Sequence, residues 1–186
     1  MNNKEIFYDT DCLSCFISIN DVTILKQLFE RVIIPYEVYE EFSRVIILKM
    51  RVDELHYEGF LEIKDFDVES ESYNLFLKLC DGEFTGRKIG DGEAAAITLA
   101  VENKGILASN NTRDVNDAVK YFNLTRIKTG DILVKAFNCD IITEKEGNEI
   151  WNKMLNQKRY LTEKSFSDYL KNIQNPYFNW PTKNLS

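Results

Sequence analysis

Short apolar runs that end in acids and alternate with helical stretches constrain this chain more than any other feature. The first run, Ile6-Phe7-Tyr8, closes on Asp9, with Asp11 two residues further on. Residues 4–9 read as a buried strand. Leu13, Phe16 and Ile17 then mark one face of a helix that Thr10 or Asp11 would cap. Asn20 and Asp21 break it, and Asp21 caps a second helix carrying Val22, Leu25, Leu28 and Phe29. Arg31 to Ile34 is a β-branched strand ended by Pro35, and a helix follows through Val38, Glu41, Phe42 and Val45 toward Met50.

The alternation continues. Leu61 to Lys64 reads as an edge strand and Ser72 to Leu79 as an amphipathic helix. Gly90-Asp91-Gly92-Glu93 opens an alanine-rich helix, and Gly105 to Ala108 is a strand. Ser109-Asn110-Asn111 forms a loop and cap for a helix holding Asp114, Ala118, Val119 and Phe122. Thr125 to Ile127 is the last strand, and Gly130-Asp131 begin another helix. Strand and helix in such regular succession predict an α/β fold, a three-layer sandwich around a central parallel sheet with right-handed crossovers. From residue 143 the pattern changes to two helical segments, about 144–157 and 163–172, so residues 143–186 read as a C-terminal helical extension packed on a domain of residues 1–142. Tyr177, Phe178 and Trp180 in the last stretch show no periodicity.

Bulk properties narrow the function. With 44% apolar and 28% charged residues, the chain is a folded protein rather than a disordered one. No apolar run approaches the roughly 20 residues of a membrane span, and the start lacks the features of a signal peptide, so the expectation is a cytoplasmic protein with no membrane contact. A net charge of −7 argues against a broad, sequence-independent grip on nucleic acid, though not against a small basic rim. Cys12 and Cys15 form a C-x-x-C; the readings are a redox or metal pair, or two small apolar side chains on the buried face of the first helix. His56 is the only histidine and sits in a charged stretch, so a zinc site of N/S type lacks ligands.

The acids carry the chemistry. Asp9, Glu41, Asp91, Glu93 and Asp114 all fall at or just after the predicted carboxyl ends of strands, where the loops of a parallel sheet converge. Two like charges about 4 Å apart repel by about 4 kcal/mol at an effective dielectric near 20. A hard divalent cation offsets that, and oxygen donors select Mg²⁺ or Mn²⁺. Such an ion activates water for attack on a phosphodiester without a histidine. Acids also favour helix N-termini through the backbone dipole, so spacing alone leaves open a metal site and a set of ordinary helix-start residues.

Four stretches resemble one family. Asp9-Thr10-Asp11-x-Leu13 resembles the first motif of PIN-domain nucleases, and Pro35-x-x-Val38-x-x-Glu41-Phe42 the second. Gly90-Asp91-Gly92-Glu93-Ala94-x-Ala96-Ile97-x-Leu99-Ala100 resembles the third, the most specific of the four. Ile106 to Asp114 is similar to the Thr-Asn-Asn-x-Arg-acid form of toxin-type, VapC-like members, with Asn110 or Asn111 where many members carry Asp. The resemblance covers residues 4–140. It implies a Mg²⁺- or Mn²⁺-dependent endoribonuclease acting on an RNA substrate, with homodimers and a cognate antitoxin as partners. It further implies that Asp9, Asp91, Glu93 and Asp114 hold the metal and that Glu41 is the acid of the second motif. Ser109 and Asn110 would bond to water or to the carboxylates, and Arg113 would contact phosphate. Two other readings compete. One is a catalytically weakened PIN domain that binds RNA or protein. The other is a haloacid-dehalogenase-type phosphatase, suggested by Asp9-Thr10-Asp11 and Gly90-Asp91-Gly92 but lacking the family's residues at Leu13 and Ala95.

Overall fold

The computed structural model describes residues 4–84 and 86–173. The segment with Tyr177, Phe178 and Trp180 lies outside the described residues. In chain order the elements are β1 (Ile6–Tyr8), α1 (Thr10–Ser18), α2 (Thr23–Leu28), β2 (Val32–Pro35), α3 (Tyr36–Ser43), α4 (Ile46–Tyr57), β3 (Leu61–Lys64) and α5 (Glu71–Asp81). They continue with α6 (Asp91–Glu102), β4 (Ile106–Ala108), α7 (Thr112–Tyr121), β5 (Thr125–Ile127), α8 (Thr129–Asn138), α9 (Glu144–Asn156) and α10 (Phe166–Asn172).

The five strands form one all-parallel sheet in the order β3-β2-β1-β4-β5. Register pairs Ile6 with Ile106, Phe7 with both Ile33 and Leu107, and Tyr8 with Ala108. Side chains alternate across the sheet with the period of the pleat. Ile6, Tyr8, Val32 and Ile34 therefore face a core that includes Leu13, Phe16, Leu133 and Trp151. Phe7, Ile33 and Leu107 face the opposite core, against Ala94, Ala95 and Ala96 of α6. Alanines there bring α6 close to the sheet. The three-layer α/β architecture is as the alternation predicts. The chain winds outward from β1 in both directions, so the order reverses between β1 and β4, and the carboxyl ends of those two strands flank the crevice where open α/β sheets place ligands.

Three local expectations change. Asp9 itself, not Thr10 or Asp11, caps α1: it keeps extended backbone, and its Oδ1 accepts the Cys12 N–H at 2.8 Å. The helix expected to run from Val38 to Met50 is two helices, because Val45 takes an extended backbone (φ −124°, ψ 106°) between α3 and α4. Val45 follows the apolar spacing of Val38 and Phe42, yet it is exposed together with Ile46, Ile47 and Met50, while Val52 and Leu55 bury the far half of α4. Asp21 sits one place early; Val22 is the cap position of α2, and Asp21 Oδ1 accepts from the Thr23 N–H at 3.1 Å.

The C-terminal helices share the main core. Trp151, Met154 and Phe166 are fully buried in the cluster that holds Ile6 and Tyr8, and Trp151 Nε1 donates to the Glu163 carbonyl at 3.1 Å. Cys12 and Cys15 are free thiols buried on α1, as the packing reading has it. His56 is exposed and its Nδ1 meets the Leu61 carbonyl oxygen at 2.8 Å. Among the described residues no helix is long and apolar enough to cross a membrane.

Candidate active site

Asp9 stands at the carboxyl end of β1, at the centre of the sheet, and is fully buried. Its backbone N–H continues the ladder to the Ala108 carbonyl at 3.0 Å, so the residue is held from both strands flanking the reversal. Its second carboxylate oxygen, Oδ2, is buried with no hydrogen-bond partner. The Ser109 hydroxyl stands nearby but forms no well-aligned hydrogen bond to it. Burial pushes the Asp9 carboxyl up to about 8; the Ser109 hydroxyl and the Cys12 N–H pull it down, and Asp11 and Glu93 push it further up. A buried carboxylate with one orphaned oxygen and two acidic neighbours is costly unless a proton or a cation joins it.

Glu93 comes to the same place from α6. It lies in the first turn, where the helix dipole favours an acid, and its Oε2 accepts the Gly90 N–H at 3.2 Å. Its Oε1 accepts from Asn111 Nδ2 at 2.5 Å. The same Nδ2 donates to Asp114 Oδ2 at 2.8 Å, and Asn111 Oδ1 accepts the Asp114 N–H at 3.2 Å as the cap of α7. One amide thus ties Glu93 to Asp114. Burial pushes the Glu93 carboxyl up, Asn111 pulls it down, and Asp11 and Asp114 push it up again. Arg87 Nη1 lies 4.0 Å from Asp114 Oδ1, and Nη2 lies 3.3 Å from Asp117 Oδ2.

Glu41 reaches in from α3. Its Oε2 accepts the Thr10 hydroxyl, directly beside Asp9 in sequence. Its carboxylate also lies against the backbone of α6, where a Cβ added to Gly92 would fall 2.7 Å from Glu41 Oε1. Asp91 turns the other way, toward α5: its Oδ1 accepts from Cys80 Sγ at 3.7 Å. Burial pushes the Glu37 carboxyl up, and Asp65 and Asp91 add to it.

The two asparagines do different work. Asn110 is buried, and it exchanges two 2.9 Å hydrogen bonds with Thr129: Nδ2 donates to Oγ1, and Oδ1 accepts the Thr129 N–H. Nδ2 also reaches the Asp11 carbonyl at 3.4 Å. Asn110 therefore locks β4 to α8 and α1, whereas Asn111 bridges acids. Arg113 is exposed.

The structure thus groups Asp9, Asp11, Glu93 and Asp114 electrostatically and links Glu41 to them through Thr10, with Asp91 on the α5 side. Asp11 and Asn111 fall outside the site residues expected from sequence. Asp11 is visible two positions after Asp9; the bridging role of Asn111 has no sequence signal, because it depends on where α6 and α7 meet. All the donors are oxygens, and the orphaned Asp9 oxygen fits a hard cation. Among the described residues, no three His, Cys, Asp or Glu side chains already form a cluster able to hold a metal.

A family model, DUF3368, described as a PIN domain, matches residues 5–175. The chain belongs to the PIN-domain family. That match takes in the whole five-stranded sheet of this PIN domain and runs through α9 and α10. It also sets aside the phosphatase reading. The PIN fold is a nuclease-type fold, and PIN nucleases typically use divalent metals. No curated protein matches the chain.

Proposed function

We propose that this PIN domain is a Mg²⁺- or Mn²⁺-dependent endoribonuclease that hydrolyses RNA phosphodiester bonds, and that it serves as the toxin of a VapC-like toxin–antitoxin pair in the cytoplasm. The observation that carries the reading is the orphaned oxygen of Asp9, buried beside Asp11 and Glu93 at the point where the strand order reverses. Asp9 and Glu93 would hold the metal, with Asp114 joining from α7 and Asp91 as the remaining acid of the motif. Glu41 acts on this group through Thr10. A bound divalent ion supplies a water of lowered pKa and offsets charge on the phosphate. The Cys12 N–H fixes one oxygen of Asp9 and so directs the other. A homodimer and a cognate antitoxin complete this reading, to be tested by sizing the purified protein and by co-expression with the neighbouring gene.

A nuclease assay on total RNA tests it. Cleavage is expected with Mg²⁺ or Mn²⁺, lost in EDTA, and reduced about a hundredfold or more in Asp9→Asn and in Glu93→Gln. Undiminished cleavage by both variants would rule out this centre.

One observation favours a second reading, a catalytically weakened domain that binds RNA. Asn111 already satisfies Glu93 and Asp114 with a neutral amide. RNA binding with no cleavage under any divalent ion would select it.

A further inference from the structure

A second feature at the same end of the sheet has the opposite electrostatic character. Arg126 on β5 and Lys128 just after it are half-buried and line a cleft of about 380 Å³ whose far wall includes Asn172 of α10 and Thr162 of the loop before it. Neither cation has a carboxylate oxygen within 4 Å among the described residues, and Arg126 Nη1 is buried with no acceptor. Burial pulls both cations down from their ordinary values and Arg126 pulls Lys128 down further, while Asp131 draws both back up, joined by Asp9 at Arg126 and by Glu163 at Lys128.

Two acids border the cleft. Asp131 is engaged on both oxygens: Oδ1 accepts the Tyr169 hydroxyl at 2.7 Å, and Oδ2 accepts the Lys128 backbone N–H at 2.8 Å. Glu163 lies further round the wall. The acids offset part of this charge at a distance, but among the described residues no carboxylate touches either cation, and the buried Arg126 Nη1 still lacks an acceptor that an anion in the cleft would supply. Lys128 also lines a small adjoining cavity with Asn110, whose Nδ2 donates to the Asp11 carbonyl at 3.4 Å, and with Tyr160, whose ring is exposed.

We propose that the Arg126–Lys128 cleft holds a phosphate group of a single-stranded RNA whose backbone runs on to the acidic centre, with Tyr160 offering a face on which a base stacks. This rests on the nuclease reading for the identity of the strand. It places part of the substrate grip on α10 and on the loop joining it to α9. Phosphate neutralisation by cations and stacking on aromatic rings are the two general means of holding a single strand. A confined pair of cations also reconciles RNA binding with a net charge of −7, since only a local patch needs to be positive.

The test is binding without cleavage. Fluorescence anisotropy of a short, labelled, single-stranded 2′-O-methyl RNA is followed in EDTA over a range of salt. Lys128→Gln and Arg126→Gln are expected to weaken binding about tenfold and to lower the salt slope by about 0.7 each. Lys128→Arg keeps the charge and should restore binding, which separates lost contact from lost fold. Lys153→Gln, on the exposed face of α9, is the control and should match the parent. Affinity and slope unchanged in Lys128→Gln and Arg126→Gln would overturn the proposal. So would saturable binding of inorganic phosphate that both variants abolish while RNA affinity stays the same, because the cleft would then serve free phosphate. Cleavage is scored separately: a protein that cuts RNA while these variants bind normally refutes the cleft alone, and one that binds through the cleft but never cuts refutes the nuclease alone.

Discussion

Asn111 Nδ2 donates to Glu93 Oε1 at 2.5 Å, and that single contact joins the start of α6 to the start of α7. The amide supplies a partial positive charge to a carboxylate that also feels Asp11 and Asp114. In Asn111→Asp the donor is lost and a fourth carboxylate joins Glu93, Asp11 and Asp114. The variant should melt lower than the parent in EDTA, by roughly 1–3 kcal/mol. It should gain more than the parent from Mn²⁺, since ligand binding to the folded state alone adds stability. Paired thermal melts with and without Mn²⁺ check both signs.

Asp9 sets a pH dependence in the metal-free protein. Its folded carboxyl is pushed up to about 8, above the unfolded value near 3.8, so between those limits the folded state binds the extra proton. Stability then falls as pH rises through that window, and the cost is fully present above about pH 8. Urea unfolding in EDTA at about pH 5.5 and about pH 8.5 should show the higher pH to be less stable. Asp9→Asn keeps an acceptor for the Cys12 N–H and removes the charge, so it should flatten that slope. Divalent metal should restore stability at high pH in the parent and not in the variant.

Gly92→Ala moves Glu41 without replacing any acid. The added Cβ would stand 2.7 Å from Glu41 Oε1, the end of a flexible side chain, so the carboxylate shifts and the fold survives. The expected outcome is a stability change within about 1 kcal/mol and a clear loss of RNA cleavage. Unfolding curves and the cleavage assay, run on one preparation, separate the two effects.

The Asn110–Thr129 pair is structural. Thr129→Val leaves the buried Asn110 amide short of an acceptor, at a cost of about 1–3 kcal/mol. Denaturant midpoints with unchanged m-values would show that the loss is one of stability alone.

Much of this was legible in the sequence, and for identifiable reasons. The parallel sheet follows from short apolar runs spaced by helices, and Asp9 is marked because it ends the first run. Glu93 is readable as a first-turn acid in front of Ala94, Ala95 and Ala96. Val45 misled, because its spacing matches a helical face while its backbone is extended and its side chain faces solvent. The cap of α1 falls one or two residues ahead of Thr10 and Asp11, at Asp9, because a strand-ending acid and a helix-capping acid look alike in one dimension. Asn110 and Asn111 are adjacent and chemically identical, yet one serves packing and the other bridges acids, a division set by which helices approach the end of β4. Arg126 and Lys128 are visible in one dimension only as two cations in and just beyond a short strand. Their confinement comes from α10, some forty residues downstream.

The burial of Trp151 and Phe166 in the core shared with β1 bears on how the gene tolerates damage. A stop codon or frameshift after β5 would spare every acid of the candidate centre and still strip the nearer face of the sheet of the part of its cover that α8, α9 and α10 supply. A truncation between β5 and α9 is therefore silenced at the level of folding, before chemistry is at stake. Limited proteolysis that nicks between α8 and α9 should release no surviving catalytic fragment.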